Sequence, residues 1–115
     1  MTEALLHMNV RFSDRTVRCR VKRAELEALL RGRAVELEVA LPRDHVFRVN
    51  VRPSPLAEWR LDSDPTGIWI TIPTQALQAL AESLPSREGI EHAFELENGG
   101  GVVVVFEVDV KDRGL

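Results

Sequence analysis

The chain has 115 residues and a formal net charge of −3 at pH 7, with 44% hydrophobic and 29% charged residues. These fractions are typical of one folded domain and exclude a disordered or low-complexity chain. No apolar run approaches the roughly 20 residues that span a bilayer, and the start, MTEALLHMNVRF, lacks the pattern of a signal peptide. A single cysteine excludes an internal disulfide. We therefore expect a single domain over residues 1–115, cytoplasmic and without membrane contact.

Charge is unevenly distributed along the chain. Residues 1–60 contain twelve Lys and Arg against eight Asp and Glu, whereas residues 61–115 contain three against ten. The asymmetry fits charges that are solvated or paired within the fold, halves that attract each other, a head-to-tail dimer, or a basic partner-binding face. We favour charges solvated or paired within the fold, because surface charges are usually of this kind.

The first half reads as a hairpin, a helix and a second hairpin. Alternation of apolar and polar residues predicts four strands, over residues 5–12, 17–22, 35–41 and 45–51. Between the hairpins, leucines at core-facing spacing predict a helix over residues 23–31, and Gly32 stands where a left-handed cap is expected.

The second half repeats this order. Alternation predicts four strands, over residues 58–61, 68–72, 90–97 and 102–111. A helix is predicted to begin at Pro73-Thr74 and to end before Pro85. Asn98-Gly99-Gly100-Gly101 is a hairpin signal, and the apolar run that follows it predicts a central strand.

The two halves also resemble each other in sequence. Val17–Leu30 aligns without a gap on Ile68–Ala81, which indicates internal pseudo-repeats of about residues 5–52 and 57–110. From this we predict an α+β fold, with one mostly antiparallel, curled or closed sheet of about eight strands and two helices. Tandem repeats of this kind occur in small cradle-like barrels, an analogy that concerns fold alone.

The residues that carry chemistry do not converge. His7, His45 and His92 lack ligand spacing, so we predict no metal site, no cofactor and no catalytic residue. Cys19 falls on the core-facing side of its strand, where burial raises a thiol pKa and makes it inert. We expect strand carboxylates such as Glu36 and Glu38 to form ion pairs with neighbouring arginines, here Arg18 and Arg20.

Two groups of side chains are candidates for binding. If the four strands of the first half are neighbours, their basic residues share one outward face, from which Arg18, Arg20, Arg48 and Arg52 are the candidate anion ligands. No exposed aromatic is interleaved there, so the pattern does not favour nucleic-acid binding. Trp69 points away from its isoleucine neighbours and is either covered by a helix or a partner contact.

Three segments carry a family resemblance: RCRVKRAELEALLRGRAVE, GIWITIP and GIEHAFELENGGGVVVVFEVDVK. With them the chain resembles a family of small, mostly bacterial proteins classed as a domain of unknown function. An aromatic residue and a cysteine that we expect after the final Asp are replaced by Val110-Lys111-Asp112-Arg113, so no role for that cysteine transfers. The resemblance covers nearly the whole chain and implies no activity.

Two functions follow as hypotheses. The first is a non-enzymatic module that binds a protein partner or a second copy of itself, as a dimer, through Trp69 or the basic face. The alternative is a protein that binds a small anionic ligand between the repeats through the four arginines.

Overall fold

A computed structural model describes residues 8–85 and 88–109. The elements follow one another as β1 Asn9–Ser13, β2 Thr16–Val21, α1 Arg23–Leu30, β3 Val35–Leu41, β4 His45–Ser54, β5 Arg60–Asp64, β6 Gly67–Pro73, α2 Thr74–Ser83, β7 Ile90–Glu95 and β8 Gly101–Val108. The predicted α+β class, with eight strands and two helices, is confirmed for this part of the chain. The predicted strand residues 5–7 and 110–111 lie outside the described residues.

The strands form two four-stranded sheets. The first sheet has the order β1-β2-β8-β7, and the second sheet has the order β3-β4-β6-β5. Each contains two antiparallel pairs around a central parallel pair, β2 with β8 and β4 with β6. The prediction of one curled or closed sheet is therefore wrong, since the strands divide into two open sheets, and each sheet combines two antiparallel pairs with one parallel pair rather than being antiparallel throughout.

The physical reason lies in the path of the chain. Helix α1 carries it from β2 in the first sheet to β3 in the second, and α2 carries it back from β6 to β7. Each sheet thus joins one hairpin of the first half to one hairpin of the second. Alternation reports which side of a strand is buried and not which strand lies beside it, so the sequence did not reveal this exchange.

A single core lies between the inner faces of the sheets and the helices. It contains Leu26 and Leu29 of α1 and Leu77 and Leu80 of α2, all buried, together with inward residues of the central strands. Burying each leucine stabilises the fold by about 1.5–3 kcal/mol. The helices contact each other as well as the second sheet.

Hydrogen bonds cap helix α1 at both ends. At its start, a side-chain oxygen of Glu25 accepts a hydrogen bond from the backbone N–H of Lys22 at 2.9 Å. At its end, Gly32 has φ +89°, and the backbone N–H of Arg33 donates to the carbonyl of Ala28 at 2.9 Å. These are the marks of a Schellman cap, which confirms the left-handed glycine predicted at this position.

Candidate interaction surfaces

Glu107 on β8 is a buried carboxylate, with 6% of its surface exposed. Its Oε1 accepts a hydrogen bond from Nη1 of Arg18 at 3.0 Å, and its Oε2 accepts one from Nε of Arg20 at 2.8 Å. Close by, Nζ of Lys22 lies 3.2 Å from Oδ2 of Asp109. Basic β2 thus pairs with the acidic end of β8, so attraction between the halves accounts for part of the charge asymmetry.

A depression of about 370 Å³ lies beside this ion-pair cluster on the outer face of the first sheet. Its lining consists of Arg18, Glu88, Gly89, Glu91, Val105 and Glu107. Three carboxylates against one guanidinium make the lining acidic. An acidic lining is less favourable for the anion that Arg18 and Arg20 were predicted to bind.

On the outer face of the second sheet, polar side chains form a continuous hydrogen-bonded series. Nε of Arg48 donates to Oε2 of Glu38 at 2.9 Å and lies 3.9 Å from Oε1 of Glu36. Nδ2 of Asn50 donates to Oε2 of Glu36 at 3.0 Å, and Oδ1 of Asn50 accepts from Nε of Arg52 at 3.1 Å. The expected pairing of Glu36 and Glu38 with Arg18 and Arg20 is thus wrong, because Arg48 occupies them.

The four arginines predicted as anion ligands belong to different sheets. Arg18 and Arg20 lie on β2 of the first sheet, whereas Arg48 and Arg52 lie on β4 of the second. The condition of four neighbouring N-terminal strands is not met. Arg18, Arg20 and Arg48 each form an ion pair with a carboxylate, while Arg52 forms none with any described residue.

Trp69 lies on β6 and is half-buried. Its neighbours Ile70 and Ile72 are fully buried, so alternation places the indole on the outer face, as predicted. In the strand register it stands between Asn50 on β4 and Asp62 on β5.

Two residues after Trp69 on β6, Thr71 lies between Arg52 on β4 and Arg60 on β5. Arg60 was not among the residues predicted to bind a ligand. Its place in an alternating segment indicates an outward side chain, but nothing local identifies Thr71 and Arg52 as its neighbours.

The largest exposed apolar side chains on the strands lie on edges of the sheets. Val39 and Leu41 on β3 are 42% and 40% exposed, and Phe12 on β1 is 57% exposed. On the same side of β3, Val35 is buried and Leu37 is half-buried, so the burial of this face decreases from the start of the strand towards the hairpin tip. An eight-residue helix is about 12 Å long, whereas seven strand residues extend about 23 Å. Helix α1 is therefore too short to cover the whole strand.

Cys19 and His92 have packing roles. Burial raises the pKa of the Cys19 thiol to about 12, so it is an inert core residue, as predicted. His92 stacks on Trp59, with ring centroids 5.3 Å apart, and contacts Phe94 edge-on at 4.8 Å. His45 is exposed at the start of β4, and His7 lies outside the described residues.

Within residues 8–85 and 88–109, no three His, Cys, Asp or Glu side chains are grouped in a way that would hold a metal ion. In the same part of the chain, neither helix has the length and apolarity needed to cross a membrane.

Comparison with known proteins identifies a family for this chain but no activity. No curated protein matches the sequence. A family model of unknown function, DUF7009, matches residues 8–112, and thus covers all the described strands and both helices. The chain accordingly belongs to this family of unknown function, and the resemblance noted in the sequence is confirmed.

Proposed function

We propose that this domain is a self-associating protein-interaction module rather than an enzyme, and that two copies pair through their β3 edges. The observation that carries the proposal is the exposure of Val39 and Leu41 on a seven-residue edge strand. An edge strand offers unpaired backbone groups to another strand, and monomeric proteins usually blunt such edges. Antiparallel pairing of two identical edges produces a closed dimer with twofold symmetry.

One register of this pairing suits the side chains. With Val39 opposite Val39 of the second copy, Leu37 faces Leu41 and Glu38 faces Ala40, by the sequence of β3. The exposed apolar side chains then meet on one side of the joined sheet. This register avoids placing glutamates directly opposite each other, whereas a register centred on Leu37 or Glu38 would do so.

Charge complementarity supports the same register. Antiparallel pairing brings the hairpin tip of one copy, which carries Asp44 beside Arg43, towards Arg33 just before the start of β3 in the other copy, and twofold symmetry repeats this contact. Asp44 and Arg33 are both exposed. Glu38 is already held by Arg48 at 2.9 Å within its own chain, which reduces repulsion between the two acidic faces.

Oligomeric state tests the proposal. We expect the wild-type protein to be a concentration-dependent dimer in sedimentation equilibrium and native mass spectrometry. Val39→Lys and Leu41→Lys should each shift it to a monomer, because a lysine at an edge opposes strand addition. Leu56→Lys is the matched control, since Leu56 is 61% exposed but lies outside the strands, and it should leave the dimer unchanged.

Two results would contradict the proposal. A wild-type protein that stays monomeric up to near-millimolar concentration has no such interface. A dimer that Leu56→Lys weakens as much as Val39→Lys associates through general hydrophobicity instead. Circular dichroism of each variant separates loss of association from loss of folding.

Trp69 was the partner contact predicted from the sequence. Because it is half-buried among polar neighbours, it offers a partner less apolar surface than Val39 and Leu41. We therefore assign the association to the β3 edge.

We also propose that the two halves are structural repeats. Residues of β2 and β6 correspond at the spacing of the sequence alignment, as Val17 does to Ile68. Their parallel partners correspond as well, since Val17 pairs with Val104 and Ile68 pairs with Val49. A cytoplasmic location is likewise proposed, supported by a cysteine that is buried and free.

A further inference from the structure

We propose that the outer face of the second sheet binds the phosphate group of a small aromatic phosphate, held between Arg52 and Arg60 above Thr71. This site differs from the anion site predicted from the sequence, which used Arg18, Arg20 and Arg48 with Arg52. Its binding residues lie on β4, β5 and β6, apart from Val39 and Leu41 on the β3 edge.

The strand register brings the two guanidinium groups to one place. Arg52 and Arg60 flank Thr71 on the two strands next to β6. Both arginines are exposed, and their inward neighbours Val51 and Leu61 pack into the core, so the arginine side chains extend from the outer face. Two strand spacings separate the arginine Cα atoms by about 10 Å. Both long side chains are therefore able to reach one anion above the threonine.

Arg52 is held in position before any ligand arrives. Its Nε donates to Oδ1 of Asn50 at 3.1 Å, and Nδ2 of Asn50 donates to Glu36 at 3.0 Å. Asn50 is buried, which keeps this support rigid. The terminal nitrogens of the guanidinium remain for a bidentate contact with phosphate, and preorganisation lowers the entropy cost of binding.

The charges at this position favour an anion. No carboxylate among the described residues forms an ion pair with Arg52 or Arg60, in contrast to Arg18, Arg20 and Arg48. Asp62 shares the outer face of β5 with Arg60 but forms no ion pair with it, so the two guanidinium groups still repel each other. A phosphate between them removes that repulsion and accepts charge-assisted hydrogen bonds from both. The Thr71 hydroxyl supplies a further donor.

Trp69 provides the reason to expect an aromatic ligand. It is two residues before Thr71 on the same strand and on the same face. A planar ring attached to the phosphate would lie over the half-buried indole. The carboxylate of Asp62, which lies beside Trp69 in the register, disfavours a ligand that carries a second negative charge at the indole end of the site.

The test is a titration of the full chain with phenyl phosphate at constant ionic strength, followed by amide chemical shifts. We expect the largest shifts at Arg52, Arg60 and Thr71. Arg52→Gln and Arg60→Gln should each weaken binding by about tenfold or more. Arg11→Gln is the matched control, because Arg11 is an exposed arginine on the first sheet, and it should bind as the wild type does.

A parallel titration with inorganic phosphate tests the role of Trp69. Phenyl phosphate should bind more tightly than inorganic phosphate, and Trp69→Leu should abolish that difference. Equal affinity for the two ligands would remove Trp69 from the site. Absence of shifts at Thr71, or an equal loss of binding in the Arg11→Gln variant, would overturn the site itself. None of these results depends on the oligomeric state.

Discussion

Nε of Arg20 donates to Oε2 of Glu107 at 2.8 Å across two parallel strands, although the residues are 87 positions apart in sequence. Together with Arg18, this contact joins the basic first hairpin to the acidic last strand. The contact lies at the centre of the first sheet, where β2 and β8 pair.

The first prediction concerns the strength of this ion-pair cluster. Glu107→Gln should lower the free energy of unfolding by about 1–3 kcal/mol, because two arginines lose their buried counter-charge. This loss of stability is smaller than that for a fully buried ion pair, because both arginines are partly exposed. Urea denaturation measures the change.

The control for Glu107 is Glu38, which pairs with Arg48 at a similar distance but is more than half exposed. Glu38→Gln should cost no more than about 1 kcal/mol. Equal losses in the two variants would show that burial of Glu107 adds nothing.

The second prediction concerns Gly89, which approaches β8 closely. A Cβ atom there would clash with the carbonyl oxygen of Phe106 and would lie 2.8 Å from Cβ of Glu107. We expect Gly89→Ala to lower the free energy of unfolding by about 1–3 kcal/mol through overpacking. Gly100→Ala meets only a side-chain oxygen of Asn98 at 3.2 Å, so it should change stability by about 0.5 kcal/mol at most. A tolerated Gly89→Ala would contradict the close approach.

The third prediction follows from the exchange of hairpins between the halves. Fragments 1–55 and 56–115 should each be unfolded alone, because each fragment contains only two of the four strands of each sheet. Mixed in equal amounts, they should regain the native circular dichroism and tryptophan emission. The break falls in the exposed segment between β4 and β5. A fragment that folds cooperatively by itself would indicate that a half is an independent unit.

The fourth prediction concerns pH. The Thr66 hydroxyl donates to Oδ1 of Asp64 at 2.6 Å, the Thr66 backbone N–H donates to it at 2.7 Å, and these bonds lower the pKa of Asp64. A carboxyl whose pKa is lowered on folding stabilises the fold above its unfolded pKa, and that contribution is lost as pH falls through the folded pKa.

Thr66→Val should raise the pKa of Asp64 towards its ordinary value in a carbon-detected pH titration. The shift should be partial, because the backbone donor remains. Thr66→Ser keeps the hydroxyl and should leave the pKa low. A pKa that is the same in the valine and serine variants would exclude the side-chain bond as its cause.

The sequence by itself determined the local structure. Alternation defined β3 over Val35–Leu41 to the residue, and Gly32 marked the end of α1, because these signals act between residues close in the chain. Strand β5 begins at Arg60, two residues after the predicted start, where Glu58 and Trp59 precede the ladder with β6. The burial of Cys19 followed from the side of the strand on which it lies.

Only the tertiary structure decided which strands are neighbours. Whether Arg18 pairs with Glu36 or with Glu107, and whether Thr71 lies between two arginines, depends on the path taken through α1 and α2. Period-two alternation is the same for any partner strand, so long-range pairing leaves no local signal. The exposure of Val39 was likewise decided by the tertiary structure. The sequence indicated the length of β3 but not how much of the strand a helix covers.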